Sequence, residues 1–367
     1  MALGSFPGEI SLPHSDTTNK SDKSASARLD PSPIMALATG YWASVPLFAA
    51  VKLGIFNVLA EGAQSAQRVA QCIGADVRGL TLLLDACCAL GLLERSCASG
   101  AEASTALYSN SRISDSFLVD GRPGCLGTSI LWSANQYAAW GDLVKTVQTG
   151  KPAVEPSRHL GEDRDKTRQF VTAMHHRALG VARGVINFLP VKPDGKLLDA
   201  GGGPGTYSTL LTEKYPALHA TVLDLPGIVA VAQELLALSG ADKRVAVKAG
   251  DVLTDDLGSS EYDNVLFSGV LHQMGAASIA DVLARAFRAL LPGGRIIISD
   301  IMIDDNRTNP SFATLFSLQM LLTSDQGSCF SAADMKAWLL RAGFEAVEEK
   351  ALPQPLPYRV VSAVKPA

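Results

Sequence analysis

Lys196-Leu-Leu-Asp199-Ala-Gly201-Gly202-Gly203-Pro-Gly205-Thr decides how the C-terminal half of this 367-residue chain is built. A short apolar run ends in an acid, breaks into five residues of which four are glycine, and resumes as a helix near Tyr207. Glycines at such a break let the backbone turn sharply and bring its N–H groups close to a ligand. Nineteen residues beyond Gly205, the run Ala220-Thr-Val-Leu-Asp224 ends in a second acid, a spacing that suits a carboxylate holding the hydroxyls of a ribose. The pair predicts a nucleotide-type ligand.

Working outward, strand and helix patterns alternate from Lys196 to the C-terminus. Strands are expected to Asp199 and over Ala220–Leu223, Ala246–Ala249, Asn264–Phe267 and Arg295–Ser299. Helices are expected over Thr206–Lys214, Ile228–Ser239, Ile279–Leu290, Pro310–Leu322 and Ala332–Ala342, with apolar runs near Ala346–Ala351 and Arg359–Ala363. Such βα repeats predict an α/β fold, a Rossmann-like doubly wound and mostly parallel sheet. Ligands then sit beyond the carboxyl ends of the strands, where Gly201–Gly205, Asp224, Asp251, His272 and Asp300 all fall.

The N-terminal half reads differently. Residues 1–29 are polar and predict a mobile tail. Residues 30–110 read as a helical winged-helix module: apolar positions from Met35 to Ile55 at helical spacing, a short helix Gln64–Gly74, and a helix capped by Asp76 that runs to Leu90. Leu92–Arg95 and Ala106–Tyr108 form its two-stranded wing around a loop at Gly100. Residues 111–190 read as helical, chiefly Leu126–Gly150 and Thr167–Phe188, with breaks at Gly150-Lys-Pro152 and Glu155-Pro156. Residues 191–367 then form the nucleotide-binding domain.

The net charge of −4 argues against a nucleic-acid partner. The helix Val77–Leu90 also offers a groove only Arg78 against Asp85. Thr81–Leu93 is read as the nearest approach to a membrane span, and it holds Asp85, so no membrane partner is expected. The six cysteines lack C-x-x-C and zinc spacing and read as buried thiols of a cytoplasmic protein. Asp304-Asp305-Asn306 reads as a solvated turn, and no metal is expected.

The residues resemble the class I S-adenosylmethionine-dependent methyltransferases, specifically the plant-type O-methyltransferase family that includes caffeate and hydroxyindole O-methyltransferases. Asp199-Ala-Gly-Gly-Gly-Pro-Gly205 carries the likeness, together with Asp224-Leu-Pro226, Gly250-Asp251-Val252, Leu271-His272, Leu291-Pro-Gly-Gly294 and Arg341-Ala-Gly-Phe344 in order. The winged-helix half resembles that family's dimerisation domain. The resemblance implies S-adenosyl-L-methionine as cofactor, a homodimer, and a small, aromatic acceptor methylated on a hydroxyl oxygen. The alternatives are carbon methylation or non-methylating chemistry on the same cofactor.

By the same resemblance, Gly201, Gly203 and Gly205 lie beside the methionine part and Asp224 takes the ribose. Asp251 and Val252 flank the adenine, and Ser268 joins the cofactor set. Asp199 either joins it or caps local amides, and Trp140 either shields the cofactor or is a core tryptophan. Met174, His175 and Met320 line the acceptor pocket; of the adjacent His175 and His176, at most one faces it. Met320 belongs to the apolar stretch Phe312–Leu322, which is either pocket wall or core. His272 is the general base, or else merely lines the pocket, and Asp300 orients it. Three departures stand out: Gln273-Met274 follows the histidine where the family has Asp-Trp, Asp300 replaces a glutamate, and Cys329 falls where the family has a second glutamate. The G-x-G-x-x-G/A spacing of NAD enzymes fails at Ser208.

Overall fold

The computed structural model describes residues 29–97, 105–154, 161, 163–353, 356 and 358–367. The expected tail, the loop at Gly100 and the break at Glu155-Pro156 lie outside the described residues. Contacts divide the chain into two compact units, Met1–Ala134 and Asn135–Ala367.

The first unit opens with α1 (Ser32–Ala38), α2 (Tyr41–Lys52) and α3 (Ile55–Val58), followed by β1 (Gln64–Ser65), α4 (Ala66–Ile73) and α5 (Val77–Ala89). After these come β2 (Leu93–Ser96), β3 (Leu107–Asn110) and α6 (Arg112–Phe117). The expected cap is present, Asp76 accepting from Gly79 N at 2.8 Å, and Ser65 also accepts from Arg68 N, each satisfying an otherwise open helix donor. On α5, Leu80, Leu84 and Cys87 are buried at helical spacing against Ile55, Phe56, Val69 and Tyr108. The Tyr108 hydroxyl donates to Asp85, which also pairs with Arg95. The wing is a three-stranded antiparallel sheet in the order β1-β3-β2, not two-stranded, because Gln64-Ser65 pairs with Leu107-Tyr108 before the helix begins.

Two expectations are corrected here. Among the described residues one helical stretch, Ser32–Lys52, is long and apolar enough to cross a membrane by length and composition, although only 6% of it is buried. It is uncharged from Pro31 to Val51, and interspersed Ser, Thr, Gly and Pro hide that from a search for continuous apolar residues. A turn at Thr39-Gly40 splits it into α1 and α2, and Ile34, Met35, Tyr41 and Trp42 are at least half exposed. The cysteines are all free, but only Cys87 and Cys329 are buried; Cys72 and Cys97 are exposed.

The chain passes through α7 (Gly127–Gly141), α8 (Leu143–Thr149) and α9 (Arg164–Val185). The expected single helix Leu126–Gly150 is therefore two, interrupted at Asp142. The sheet of the second unit then begins with β4 (Lys196–Ala200), α10 (Thr206–Lys214), β5 (His219–Asp224), α11 (Pro226–Ser239) and β6 (Val245–Ala249). It continues with β7 (Tyr262–Ser268), α12 (Ala276–Ala289), β8 (Leu290–Asp300), α13 (Ser311–Thr323), α14 (Ala332–Arg341), β9 (Glu345–Ala351) and β10 (Arg359–Val364).

The seven strands lie in the order β6-β5-β4-β7-β8-β10-β9. The first five are parallel, and β10 runs antiparallel between β8 and β9. Alternation along the strands divides two cores. Leu198, Val265, Phe267, Ile296 and Ile298 pack toward α12 and α14, while Leu197, Leu266 and Ile297 pack toward α9, α10 and α11. Strand β9 is exposed except at Val347, which packs on the core, and places Glu345, Glu348, Glu349 and Lys350 on the sheet's outer edge. The chain order reverses at β4, flanked by β5 and β7, which is where open α/β sheets hold ligands.

Candidate active site

The glycine turn sits at that reversal. Gly201, Gly203 and Gly205 hold φ of +71°, +54° and +72°, in the left-handed region that other residues enter at a cost. Gly202 is required by space instead: a Cβ there would come within 2.6 Å of the Asp199 carboxyl carbon. Asp224, at the end of β5, accepts from Gly203 N and Leu225 N, both at 2.8 Å, so its two oxygens tie the turn to the neighbouring strand. Each oxygen keeps a further lone pair for a hydroxyl donor. Burial raises the Asp224 pKa despite these two N–H groups.

Asp199 is almost fully buried at the end of β4. Its Oδ2 accepts from Ser208 Oγ at 2.7 Å, and its Oδ1 has no partner among the described residues. Burial pushes its pKa up to about 6, against the opposing Ser208 bond. The folded protein therefore holds this proton across the window from about 4 to 6 while the unfolded chain releases it, so stability falls as pH rises through that window. Asp199→Asn is expected to remove the effect. Relative to wild type, the variant should gain stability between pH 4 and pH 7, by the order of 2–3 kcal/mol, in chemical denaturation at both pH values. A constant difference would contradict a raised Asp199.

His175, on α9, meets Thr206, the first residue after the turn: Nδ1 and Oγ1 are 2.8 Å apart. Burial, with His176 beside it, lowers its pKa, so the ring stays neutral near pH 7. Met174 is half-buried on the same helix. The Tyr207 hydroxyl and Ser268 Oγ are buried and, among the described residues, without a hydrogen bond of good geometry. Burial keeps the Tyr207 phenol protonated.

After β6, the chain turns through Asp251 and the buried Val252. Asp251 Oδ1 accepts from Leu253 N at 2.8 Å, and Asp251 N donates to Asp255 Oδ2 at 2.9 Å. Asp251 Oδ2 makes none of these bonds.

His272 lies in a short helical turn just past β7 and is 9% exposed. Its Nδ1 is 2.6 Å from Asp300 Oδ1, and its backbone N donates to Asp300 Oδ2 at 3.2 Å. Ile301 N also donates to Asp300 Oδ1 at 2.8 Å. An ionised carboxylate can only accept, so the ring proton sits on Nδ1 and leaves Nε2 as the free basic nitrogen. Phe316 of α13 presents an edge to the imidazole at 5.0 Å, and Phe312, one turn earlier, stacks on Phe316 at 6.1 Å. Cys329 is buried with Ile301, Ile303 and Ala313, and burial pushes its thiol up to about 11, so it supplies no charge beside Asp300.

Trp140 is half-buried, and its indole N–H donates to Gln319 Oε1 of α13 at 2.7 Å. Gln319 Nε2 in turn donates to Gln136 Oε1 at 3.3 Å. Met320, beside Gln319, is 8% exposed. Sequence reasoning missed Gln136, Gln319, Thr206 and Tyr207; their roles depend on partners on other elements, and no motif marks them. Among the described residues, no cluster of three or more His, Cys, Asp or Glu could hold a metal ion.

A nucleotide-type site, a buried histidine–aspartate pair at the next strand ends and a separate winged-helix unit coincide with what known proteins share. Residues 35–120 match the O-methyltransferase dimerisation domain, and residues 140–345 match the O-methyltransferase domain. The chain belongs to the O-methyltransferase family. This O-methyltransferase is 32% identical over 340 residues to 3-hydroxy-5-methyl-1-naphthoate 3-O-methyltransferase of Streptomyces sahachiroi, covering 91% of this chain and 95% of that one. It is also 32% identical over 340 residues to acetylserotonin O-methyltransferase of Mus musculus, covering 88% and 86%. Its fold matches the crystal structure of human N-acetylserotonin methyltransferase in complex with SAM, with a TM-score of 0.83 and 25% identity, covering 94% of this chain and all of that one. The O-methyltransferase is S-adenosyl-L-methionine-dependent, and the residues at the reversal fit that cofactor. Asp199 Oδ1 offers a buried carboxylate oxygen with no donor among the described residues, and the turn leaves no room for a side chain at Gly202.

Proposed function

We propose that the enzyme methylates a hydroxyl oxygen on a small aromatic acceptor, with His272 as general base. The His272–Asp300 contact of 2.6 Å at the strand ends carries this reading. When bound, S-adenosyl-L-methionine supplies an electrophilic methyl group. Gly201, Gly203, Gly205 and Asp199 hold its methionine part and Asp224 its ribose; Asp251 and Val252 hold its adenine, and Ser268 lies at the floor. His272 Nε2 removes the hydroxyl proton as the oxygen becomes nucleophilic. Asp300 fixes the ring and stabilises the imidazolium, the part an aspartate plays beside a catalytic histidine. Holding the acceptor in line supplies the remaining acceleration.

Phe312, Phe316 and Met320 on α13, with Trp140 and Met174, make an apolar wall suited to a flat ring system. His175 was expected in that wall; its Nδ1 is committed to Thr206, which leaves Nε2 alone for an acceptor. The named acceptors of the relatives, a hydroxynaphthoate and an acetylserotonin, support an aromatic substrate. The dimerisation domain and the exposed apolar residues of α1 and α2 support a homodimer, and a cytoplasmic location accords with six free cysteines.

Incubating the enzyme with S-adenosyl-L-methionine and a panel of hydroxynaphthoates, hydroxyindoles and simple phenols tests the reading. The expected product gains one methyl group on oxygen, read by mass and by the chemical shift of the new methyl. A product altered without a methyl gain, or methylated on carbon, would overturn it.

A further inference from the structure

We propose that Arg285 is the positioning residue for the adenine end of the cofactor site. The guanidinium, on α12, is 6% exposed, and all three of its nitrogens are committed. Nε donates to Asp281 Oδ2 at 2.9 Å, one turn back on its own helix. One terminal nitrogen donates to the Asp255 carbonyl at 2.6 Å and the other to the Leu253 carbonyl at 2.7 Å. These two carbonyls belong to the turn that begins with Asp251-Val252.

The turn is tied internally as well. Asp251 O accepts from Thr254 N and Asp255 N, Asp251 Oδ1 from Leu253 N, and Asp255 Oδ2 from Asp251 N. Those bonds are local and fix its shape. Among the bonds of the described residues, the guanidinium fork is what anchors the turn's carbonyls to α12, so it sets where the shape sits. A planar fork reaches two carbonyls at fixed spacing, which a lysine ammonium cannot reproduce. Losing it would leave two inward carbonyls without donors and let the turn drift. A shift of the order of an ångström is enough to degrade a polar contact at Asp251 Oδ2.

The inference rests on the reading that Asp251 takes the exocyclic amine of adenine. Its test therefore compares S-adenosylhomocysteine with S-inosylhomocysteine, in which that amine is replaced by oxygen. Calorimetry on wild-type enzyme is expected to favour the adenosyl ligand at least tenfold. Arg285→Lys is expected to shrink that preference to threefold or less, while the affinities for an acceptor hydroxyarene stay unchanged. If wild type shows no preference, the Asp251 reading fails. If wild type discriminates and Arg285→Lys keeps the full ratio, even with both affinities lowered, Arg285 is structural only and the proposal is overturned. Should Arg285→Lys fail to fold, Arg285→Gln, whose amide can donate to at most one of the two carbonyls at a time, reads the same ratio. A reduced preference supports the proposal, and an undiminished one overturns it.

Discussion

Replacing His272 by Gln is expected to reduce turnover by about 10²–10⁴-fold, the usual contribution of a positioned general base. Glutamine keeps a comparable volume beside Phe316 and can still offer an N–H to Asp300, so the packing around the site survives. It cannot accept a proton at neutral pH. Binding of S-adenosyl-L-methionine should be unchanged, because the turn at Gly201–Gly205, Asp224 and Asp251 does not include His272. Single-turnover kinetics with the preferred acceptor, beside calorimetry on the cofactor, separates the two quantities. Unchanged turnover would make His272 a lining residue. The acceptor hydroxyl would then have to ionise before it arrived.

Asp224→Ala is expected to raise the cofactor dissociation constant by roughly 10²–10³-fold, equivalent to about 3–4 kcal/mol. Two losses combine. The carboxylate no longer meets the ribose, and the Gly203 and Leu225 N–H groups lose the acceptor that shapes the turn in a part-buried place, at less than the about 1–3 kcal/mol of a fully buried unpaired group. Asp224→Asn should fall between, since its amide oxygen still accepts from one of the two N–H groups. Calorimetric titration with S-adenosyl-L-methionine reads all three proteins. Wild-type affinity in Asp224→Ala would remove the carboxylate from the site.

Much of the second unit was legible because its parallel strands are mostly apolar runs ending in a small or acidic residue. Asp199, Asp224 and Asp300 fall at or beside strand ends, where the proposed site lies. Asp76 was legible as a helix start because its side chain caps an open N–H group three residues on, whereas the cap at Ser65 was not singled out and the helix expected from Gln64 begins at Ala66. What stayed hidden depends on distance in sequence. Trp140 and Gln319 are 179 positions apart, and nothing in either helix pattern says that an indole N–H will orient that amide. Arg285 belongs to no motif, and the two carbonyls it meets lie 30 and 32 residues upstream. Phe316 was legible as apolar, but a helix as evenly apolar as α13 gives no sign of which face meets His272. The uncharged stretch ahead of Lys52 escaped because lack of charge and continuous apolarity are different criteria.

Strand β9 has a consequence for how copies of this chain can meet. An open sheet edge is a template on which another strand can grow, and unguarded edges lead to aggregation. Here that margin carries Glu345, Glu348 and Glu349, with only Lys350 to balance them. In the mirrored approach of two identical margins, like charges would stand opposite one another, a destabilising arrangement across strands. Strand addition of one β9 margin onto another is thereby discouraged. The exposed side chains of Ile34, Met35, Tyr41 and Trp42 on α1 and α2, by contrast, carry no charge at all.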